Sequence, residues 1–155
     1  MSRERELMSD VVIDGLAMLA RATSDDLDRV IHVVLERIAN AVDADVAHLL
    51  VKSGEYWVFS HVWCASGLVS QKHQFSPISD CDLRALGSEA TNAKQISIGS
   101  VNGMPIGALQ DHLRNQGIKS FASVPLTGDA SVQGYFGLDR MRVEAEFSER
   151  DFRLL

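Results

Sequence analysis

Four ring-bearing side chains recur at every second position of one short segment. The segment, Tyr56 to Cys64, is predicted to be a β-strand, in which alternate side chains point to opposite faces of a sheet. The alternation predicts one shared face for Trp57, Phe59, His61 and Trp63. Two indoles, a phenyl ring and an imidazole beneath a loop would stack a flat or hydrophobic ligand. The same rings would equally fill a core under helices, because alternation does not say which face the helices cover.

Polar side chains in the last two predicted strands are candidates for orienting such a ligand. They are Ser120, Ser123, Tyr135 and Arg140. A few well-placed polar groups typically fix the orientation of a ligand in a mostly apolar pocket. Arg140 has an alternative interpretation, a surface ion pair with the adjacent Asp139 that would contribute little to stability.

The two cysteines are the candidates for thiol chemistry. A reactive thiol needs a lowered pKa, from a cationic neighbour or a helix N-terminus, and a redox enzyme needs a second thiol within reach. Cys64 and Cys81 show no CxxC spacing, and two thiols in a chain without an export signal are usually reduced and structural. The GxSxG elbow of serine hydrolases is also missing from the sequence. We therefore expect no catalytic residue in this domain, with a thiol enzyme kept as an alternative.

The histidines are the remaining candidates for binding a cofactor. Haem ligation would use His61, His73 or His112, although a lone histidine is more often a polar or half-buried residue. The metal-binding spacings HxxxH and HExxH do not occur, and the three glycines between Gly99 and Gly107 lack the spacing of a phosphate-binding loop. The sequence therefore predicts no metal site and leaves the cofactor unknown.

Apolar periodicity predicts an α+β domain with a largely antiparallel sheet. Helices are predicted over 3–21, 25–42, 82–89 and 105–116, and strands over 45–51, 56–64, 95–98, 119–126 and 132–140. Thr23 and Asp26 form a predicted capping box for the second helix. The first helix places Met8, Val12, Leu16 and Leu19 on one face.

Two sequence signals at the end of the chain predict the start of one more helix. Ser148 with Asp151 makes a capping box, and Phe147 with Phe152 makes a hydrophobic staple around it. The sequence stops at Leu155 after barely two turns, and a helix that short is marginal by itself. We expect a longer protein in which this helix continues into another domain; the alternative is a short native helix docked on the sheet.

The bulk properties fit one globular domain and exclude several partners. The chain has 155 residues and a formal net charge of -6 without any basic run, which argues against binding nucleic acid or an anionic membrane. No apolar stretch approaches the roughly 18 to 20 residues that span a bilayer. The polar N-terminus lacks the apolar core of a signal peptide, so a cytoplasmic location is expected.

Several motifs in the C-terminal half resemble a GAF domain by their order and spacing. They are Gln116 to Ser120, Ala122 to Leu126, Gly134 to Asp139 and Phe147 to Leu155. The segment His61 to Gly67 is similar to a strand of a bacterial GAF subset found ahead of GGDEF or EAL cyclic-di-GMP modules, PAS domains or histidine kinases. Val62 stands where that subset usually has Glu. The resemblance runs from about Leu27 to Leu155.

The resemblance implies a fold and a division of the chain. It implies a GAF-like α+β fold whose central antiparallel sheet has five or six strands. Helices would cover one face, and an irregular segment, about 65–92, would roof a small-molecule pocket on the other. Residues 1–24 would form an N-terminal linker or signalling helix, and 25–155 the GAF domain. Many relatives form homodimers through their terminal helices.

The same resemblance implies a sensory or regulatory module of a bacterial signalling protein. Such a module binds a small molecule or relays a signal through its terminal helices to an output domain of the same polypeptide, such as a kinase, diguanylate cyclase or phosphodiesterase. The alternative is a ligand-free dimerisation or interaction module whose pocket is filled with side chains. The attachment pattern for a bilin, a Cys followed by His, and the NKxnFx3DE signature of cyclic-GMP binders are both missing. The ligand therefore stays unidentified.

Overall fold

The computed structural model describes residues 2–68, 76–84, 95–128 and 131–153, with the side chains of 2–9 and 84 left out. The elements are α1 (Ser2–Arg21), α2 (Leu27–Ala41), β1 (Val46–Ser53), β2 (Tyr56–Cys64), β3 (Ile78–Ser79), α3 (Asp80–Arg84), β4 (Ile96–Ile98), α4 (Ala108–Asn115), β5 (Ser120–Gly128), β6 (Ser131–Arg140) and α5 (Glu149–Phe152). None of the helices among these residues is long and apolar enough to cross a lipid bilayer.

The six strands form one sheet in the order β3-β2-β1-β6-β5-β4, with every neighbouring pair antiparallel. Two hairpins, β1–β2 and β5–β6, supply four of the strands, and β6 pairs with β1 to join them. Gly54 makes the first hairpin turn at a φ of 62°, a conformation that glycine adopts without strain. The predicted α+β fold with five or six antiparallel strands is confirmed, and the number is six.

The sheet has two differently covered faces. On the helix face, Ala47, Ala122 and Leu138 pack under Leu35 and Ala39 of α2. On the opposite, cavity face, Leu50 and Tyr135 pack against Leu83 of α3, while Phe121 packs against α4. Burying each such aliphatic side chain contributes about 1.5–3 kcal/mol, so the two cores fix the sheet between two helical layers.

A β-bulge in β2 changes which side chains share a face. Leu49 pairs with His61 whereas Leu50 pairs with Phe59, so Ser60 is an extra residue with no Cα opposite it in β1. An extra residue shifts the alternation by one, and the side chains before and after it therefore lie on opposite faces. The prediction of one shared face for Trp57, Phe59, His61 and Trp63 is wrong for this reason.

Helix α4 is stopped by the predicted glycine, with its last residue at Asn115, but it begins later than predicted. Gly117 has a φ of 74°, and its N–H donates to Arg114 O while Ile118 N–H donates to Leu113 O, which is a Schellman motif. The helix starts at Ala108 rather than at Pro105, and Ile106, expected on its apolar stripe, is 93% exposed. Leu109 and Leu113 are buried as predicted and face the cavity.

Other boundaries shift by a few residues. Helix α2 begins at Leu27 with Asp26 as its N-cap, so the predicted capping box is only half formed. Thr23 N–H donates to Asp26 Oδ1 at 2.7 Å, but Asp26 N–H donates to the backbone carbonyl of Thr23. Helix α3 covers 80–84 instead of 82–89, and the rest of the predicted span, 85–89, lies outside the described residues. The strands keep their predicted centres.

The terminal helices both lie on the helix side of the sheet. The capping box of Ser148 and Asp151 is confirmed in α5, where Phe147 is buried in the core and Phe152 packs against it. Helix α1 crosses α2 at the buried Gly15, whose neighbour is Val34. Val12 joins the core, Leu19 is half-buried and Leu16 is 62% exposed, while Met8 lies among the side chains that are not described. A dimer through this stripe stays a prediction.

Candidate functional site

A small cavity lies on the cavity face between the sheet and the helices α3 and α4. Its floor is formed by all six strands, and its roof by Leu83 of α3 and by Leu109 and Leu113 of α4. Its volume is about 40 Å³, whereas one water molecule needs roughly 10–15 Å³. The space therefore admits a compact molecule, and anything larger requires the wall side chains to move.

Among the buried polar side chains that line this mostly apolar cavity are His48 and Asp139. The His48 Nε2 atom lies 3.3 Å from the Asp139 Oδ2 atom, and the two side chains are only 9% and 4% exposed. Burial of an acid and an imidazole is costly unless each has a polar partner, and here the two contact each other. The second ring nitrogen, His48 Nδ1, is buried without a hydrogen-bond partner in the described part of the chain.

The sequence makes room for the His48 ring by placing a glycine opposite it. His48 of β1 pairs with Gly137 of β6, and a Cβ atom at position 137 would overlap the imidazole. Phe59 borders the same ring edge-on, with ring centroids 5.0 Å apart and planes inclined by 72°. The orientation of His48 is therefore fixed by the strand beneath it, the phenyl ring beside it and the carboxylate that it contacts.

Three of the eight predicted site residues line the cavity: Phe59, Ser123 and Tyr135. Tyr135 stands edge-on to Trp57, with centroids 5.0 Å apart. Burial raises the pKa of the Tyr135 hydroxyl, and the nearby Asp80 carboxylate adds to the effect. Trp57 is on the same face of the sheet but does not line the cavity. Its Nε1–H donates to Asp80 Oδ1 at 3.0 Å, and Lys52 lies over its ring.

The other four predicted residues lie on the helix face or at its edge. Trp63 belongs to the core under α2, and His61 Nε2 lies 3.1 Å from Asp28 Oδ1 of that helix. Ser120 pairs with Arg140 at the end of the β5–β6 hairpin and is fully buried. The β-bulge at Ser60 explains why His61 and Trp63 lie on the helix face. Ser120 and Arg140 lie there because successive side chains of a strand point to opposite faces of the sheet.

Arg140 connects three segments of the helix face instead of pairing with Asp139. Its guanidinium donates to Val42 O and Asp43 O after α2, and to Ala145 O and Glu146 O before α5. Its Cζ atom also lies 4.1 Å from the centroid of the Phe147 ring. The interpretation as a surface ion pair is wrong, because adjacent strand residues point to opposite faces and the Arg140 side chain is only 12% exposed.

The candidate groups for thiol and haem chemistry are dispersed. Cys64 is half-buried and Cys81 exposed, and burial raises the pKa of the Cys64 thiol, with a further contribution from Asp139. His112 contacts Gln116 at 2.9 Å, while His73 lies outside the described residues. Within the part of the chain that the structure describes, no three His, Cys, Asp or Glu side chains come together as metal ligands do.

Sequence reasoning missed His48, the central polar residue of the cavity. A single histidine in the middle of the apolar run 45–51 was the available signal, since a strand interior rarely accepts an imidazole without a partner. Asp139 was visible as the end of the Gly134 to Asp139 motif. Neither position, however, shows from sequence alone that the β1–β6 pairing brings them together.

Comparison with known proteins agrees with this architecture. The model of the GAF domain family matches residues 26–155. The phycocyanobilin-bound GAF domain from a cyanobacterial phytochrome has a TM-score of 0.77 and 12% identity, over 95% of this chain and 86% of that chain. The GAF domain of a phosphoenolpyruvate-protein phosphotransferase from Coxiella burnetii has a TM-score of 0.72 and 14% identity, over 95% and 84%.

A third similar structure is the chromophore-binding domain of the Stigmatella aurantiaca bacteriophytochrome. Its TM-score is 0.72 at 14% identity, and the match covers 95% of this chain but 55% of that one. At such low identities these likenesses concern the fold alone. No curated protein sequence matches the chain.

Proposed function

This chain belongs to the GAF domain family, and we propose that it is a sensory or regulatory module of a cytoplasmic bacterial signalling protein. The module binds a small molecule on the cavity face and relays binding through its terminal helices to an output domain of the same polypeptide. The observation that carries the proposal is the buried His48–Asp139 pair lining a cavity of about 40 Å³. Convergent polar groups in an otherwise apolar pocket are typical of ligand sites.

A route from the cavity runs along strand β6 to the terminal helix α5 and to α2, on which the other terminal helix, α1, packs. Asp139 lines the cavity, and the next residue, Arg140, holds the carbonyl groups that follow α2 and precede α5. A ligand that shifts the end of β6 would therefore change contacts at both helices. Such a ligand biases the relay only if it binds one arrangement better than the other.

The first experiment is native mass spectrometry of the protein purified from its host without a denaturing step. A stoichiometric additional mass supports a ligand-binding sensor. The Ser123→Leu variant, which fills the cavity, is expected to lose that mass, whereas Thr127→Leu, at the exposed end of the same strand, keeps it. Retention of the mass by Ser123→Leu would place the ligand elsewhere and contradict the proposed site.

Relay through the helices is tested by hydrogen exchange with and without the bound molecule. We expect changed protection in α1 and α5 in addition to the strands around the cavity. A change confined to the cavity walls would support binding without relay. Replacement of Arg140 by Gln is expected to uncouple the two responses.

A second candidate function, a ligand-free dimerisation module, is favoured by two observations. The cavity has a volume of only about 40 Å³ between apolar side chains such as Leu50 and Leu113, and Ile13 and Leu16 of α1 are 59% and 62% exposed. Under this alternative, Leu16→Lys would dissociate a homodimer in sedimentation experiments. Ile106→Lys is the matched control, because Ile106 is 93% exposed in a different segment.

We further propose that the domain performs no catalysis of its own. The strongest support is the raised pKa of Cys64, since a thiol that holds its proton more tightly than usual is a poor nucleophile at neutral pH. Regulation of a kinase, diguanylate cyclase or phosphodiesterase domain would then be the biological output. Measuring that enzyme activity in the full-length protein, with Ser123→Leu against Thr127→Leu, tests the coupling.

A further inference from the structure

We infer that the cavity opens by movement of residues 76–84 away from the sheet, and that the contact between the Asp80 carboxylate and the Trp57 indole holds it closed. Residues 76–84, called the gate segment below, contain β3 and α3. The inference rests on the proposed function, because it explains how a molecule larger than the cavity of about 40 Å³ reaches the same site. It follows from how each wall of the cavity is held in place.

The gate segment forms part of the cavity wall. It supplies Ile78 to the floor and Leu83 to the roof. Both side chains are buried in one apolar cluster with Leu50, Trp57 and Tyr135 of the sheet. Movement of the gate segment would therefore uncover Leu50 and Tyr135, which line the cavity as well.

The other roof element, α4, is fastened at both of its ends. The side-chain nitrogen of the buried Gln110 lies 3.1 Å from three backbone carbonyl oxygens that precede the helix, those of Val101, Asn102 and Met104. At the other end, the Schellman motif at Gly117 leads directly into β5. Movement of α4 would have to break these bonds together.

The gate segment is attached to the backbone of the sheet at one edge. Strand β3 has only two residues and pairs with the start of β2. Directly after it, Asp80 N–H donates to Glu55 O at 2.9 Å. Local opening is easiest where few backbone bonds and few buried contacts hold an element. Of the cavity walls that the structure describes, the gate segment is therefore the one that opens without disrupting the centre of the sheet.

One carboxylate ties the gate segment to side chains of the sheet. Asp80 Oδ1 accepts a hydrogen bond from Trp57 Nε1–H at 3.0 Å and lies 4.0 Å from Lys52 Nζ. A hydrogen bond with an ionised acceptor is roughly twice as strong as a neutral one. Burial raises the pKa of the Tyr135 hydroxyl and the Asp80 carboxylate adds to the effect, so the charge of Asp80 acts on a residue of the cavity wall.

The turn of the gate segment is bonded internally, which allows the segment to move as one body. Ser79 Oγ donates to Asp82 Oδ2 at 2.7 Å and accepts from Asp82 N–H at 3.0 Å. Both of these bonds lie within the segment, whereas the bond from Trp57 to Asp80 crosses to the sheet. The two acidic residues therefore form a matched pair for an experiment.

The first test measures access to the cavity by thiol labelling of the full chain. Ser123→Cys places a thiol in the cavity wall, and N-ethylmaleimide, an uncharged reagent too large for the closed cavity, should react with it when the gate segment opens. In this background, Asp80→Asn should raise the labelling rate about fivefold, as exchange of a charge-assisted hydrogen bond for a neutral one implies. Asp82→Asn makes the same charge change and should alter the rate less than about twofold, because its bonds do not cross to the sheet. Peptide mass spectrometry separates this thiol from Cys64 and Cys81.

Hydrogen exchange of the unaltered chain is an independent test that does not require any variant to fold. If the gate segment opens as one body, the Asp80 amide and the Trp57 indole N–H should have equal protection factors, because one event releases both. The amide of Leu113 in α4 should be protected at least about tenfold more, since α4 opens only with a larger part of the fold.

Each result bears on the inference directly. A rise in labelling confined to Asp80→Asn, with equal protection of the Asp80 amide and the Trp57 indole, supports it. Equal labelling rates in all three proteins, an equal rise for both variants, or an α4 amide that exchanges more readily than that of Asp80 overturns it. Neither measurement requires a bound molecule, so failure of the gate is distinguishable from failure of the proposed function, which the native mass of the purified protein tests.

Discussion

The imidazole of His48 occupies the space that a side chain at position 137 would fill, so that Gly137 and the ring share one place in the sheet. The two residues are directly paired across β1 and β6. The His48 ring can lie close to strand β6 because Gly137 has no side chain. In this position, its Nε2 atom lies 3.3 Å from the Asp139 carboxylate. The polar pair of the cavity therefore depends on one glycine.

Gly137→Ala should destabilise the protein and disturb the site. The new methyl group would overlap the His48 ring, and overpacking of this kind typically costs about 1–3 kcal/mol. The ring would have to move away from Asp139. Urea unfolding and the NMR spectrum of the His48 side chain measure the two effects. Unchanged stability together with an unchanged His48 spectrum would show that the ring has another place to lie.

Gly15→Ala should have the opposite effect on stability. A Cβ atom at position 15 would lie 3.6 Å from a methyl group of Val34, an ordinary packing distance, in the middle of helix α1. Alanine is favoured over glycine in a helix interior by up to about 1 kcal/mol. A higher midpoint of thermal unfolding is expected. A lower midpoint would indicate that the added methyl group cannot be accommodated between α1 and α2.

The overall fold was predictable because its signals are local. Hydrophobic periodicity placed α2, β1, β2, β5 and β6 within a few residues of their observed bounds, and the Ser148 capping box and Gly117 helix stop are as expected. Each of these features is set by side chains a few residues apart. Sequence spacing alone therefore carries the information.

The site was less predictable because it depends on strand register. A single inserted residue, Ser60, moved His61 and Trp63 to the helix face while Phe59 stayed with the cavity. Nothing in an alternating strand marks where a bulge occurs. The pairing of His48 with Gly137, 89 positions apart by their numbers, is likewise a property of the assembled sheet.

Arg140→Gln should destabilise the protein more than any exposed charge change. The guanidinium is hydrogen-bonded to the carbonyl groups of Val42, Asp43, Ala145 and Glu146. A glutamine cannot replace these contacts, and leaving the two part-buried acceptors, Val42 O and Ala145 O, unpaired costs about 1–3 kcal/mol each before relaxation. We expect a loss of about 2–4 kcal/mol in the free energy of unfolding, in line with breaking a buried charged network.

Arg37→Gln is the matched control for that prediction. The Arg37 guanidinium lies 3.5 Å from the Asp14 carboxylate, and the two side chains are 43% and 65% exposed, so they form a largely solvated ion pair. Such pairs contribute about 0–1 kcal/mol. Similar losses for both variants in urea unfolding would mean that Arg140 acts as an ordinary surface charge and would remove the proposed link between β6 and the terminal helices.

The two cysteines should differ in their rate of alkylation. The Cys64 pKa is raised by burial and by Asp139, whereas Cys81 is exposed. Iodoacetamide, which reacts with the thiolate, should modify Cys81 first near neutral pH, as peptide mass spectrometry would show, and the two should react alike in the unfolded protein. Because the folded-state pKa of Cys64 is raised, its protonated thiol contributes stability at low pH. This contribution is lost as the pH rises beyond the ordinary thiol range. Faster modification of Cys64 would revive the thiol-enzyme alternative.

His112 should make folding sensitive to acid. Burial lowers its pKa, with the nearby Asp82 carboxylate partly opposing the effect, and the Gln116 amide nitrogen lies 2.9 Å from His112 Nε2, which accepts a hydrogen bond only when unprotonated. The unfolded chain takes up a proton as pH falls through about 6.5, before the folded chain does. The stability due to neutral His112 is therefore complete above that pH and lost below it.

The test compares the wild type with His112→Gln between about pH 7.5 and about pH 5, the range in which histidines titrate. The wild type should lose more free energy of unfolding over this range than the variant, because glutamine does not titrate. The other histidines are common to both proteins, so their contributions cancel in the difference. Parallel pH profiles would show that protonation of His112 is not coupled to folding. The contact between His112 and Gln116 at the cavity roof would then contribute too little to stability for its loss on protonation to be measured.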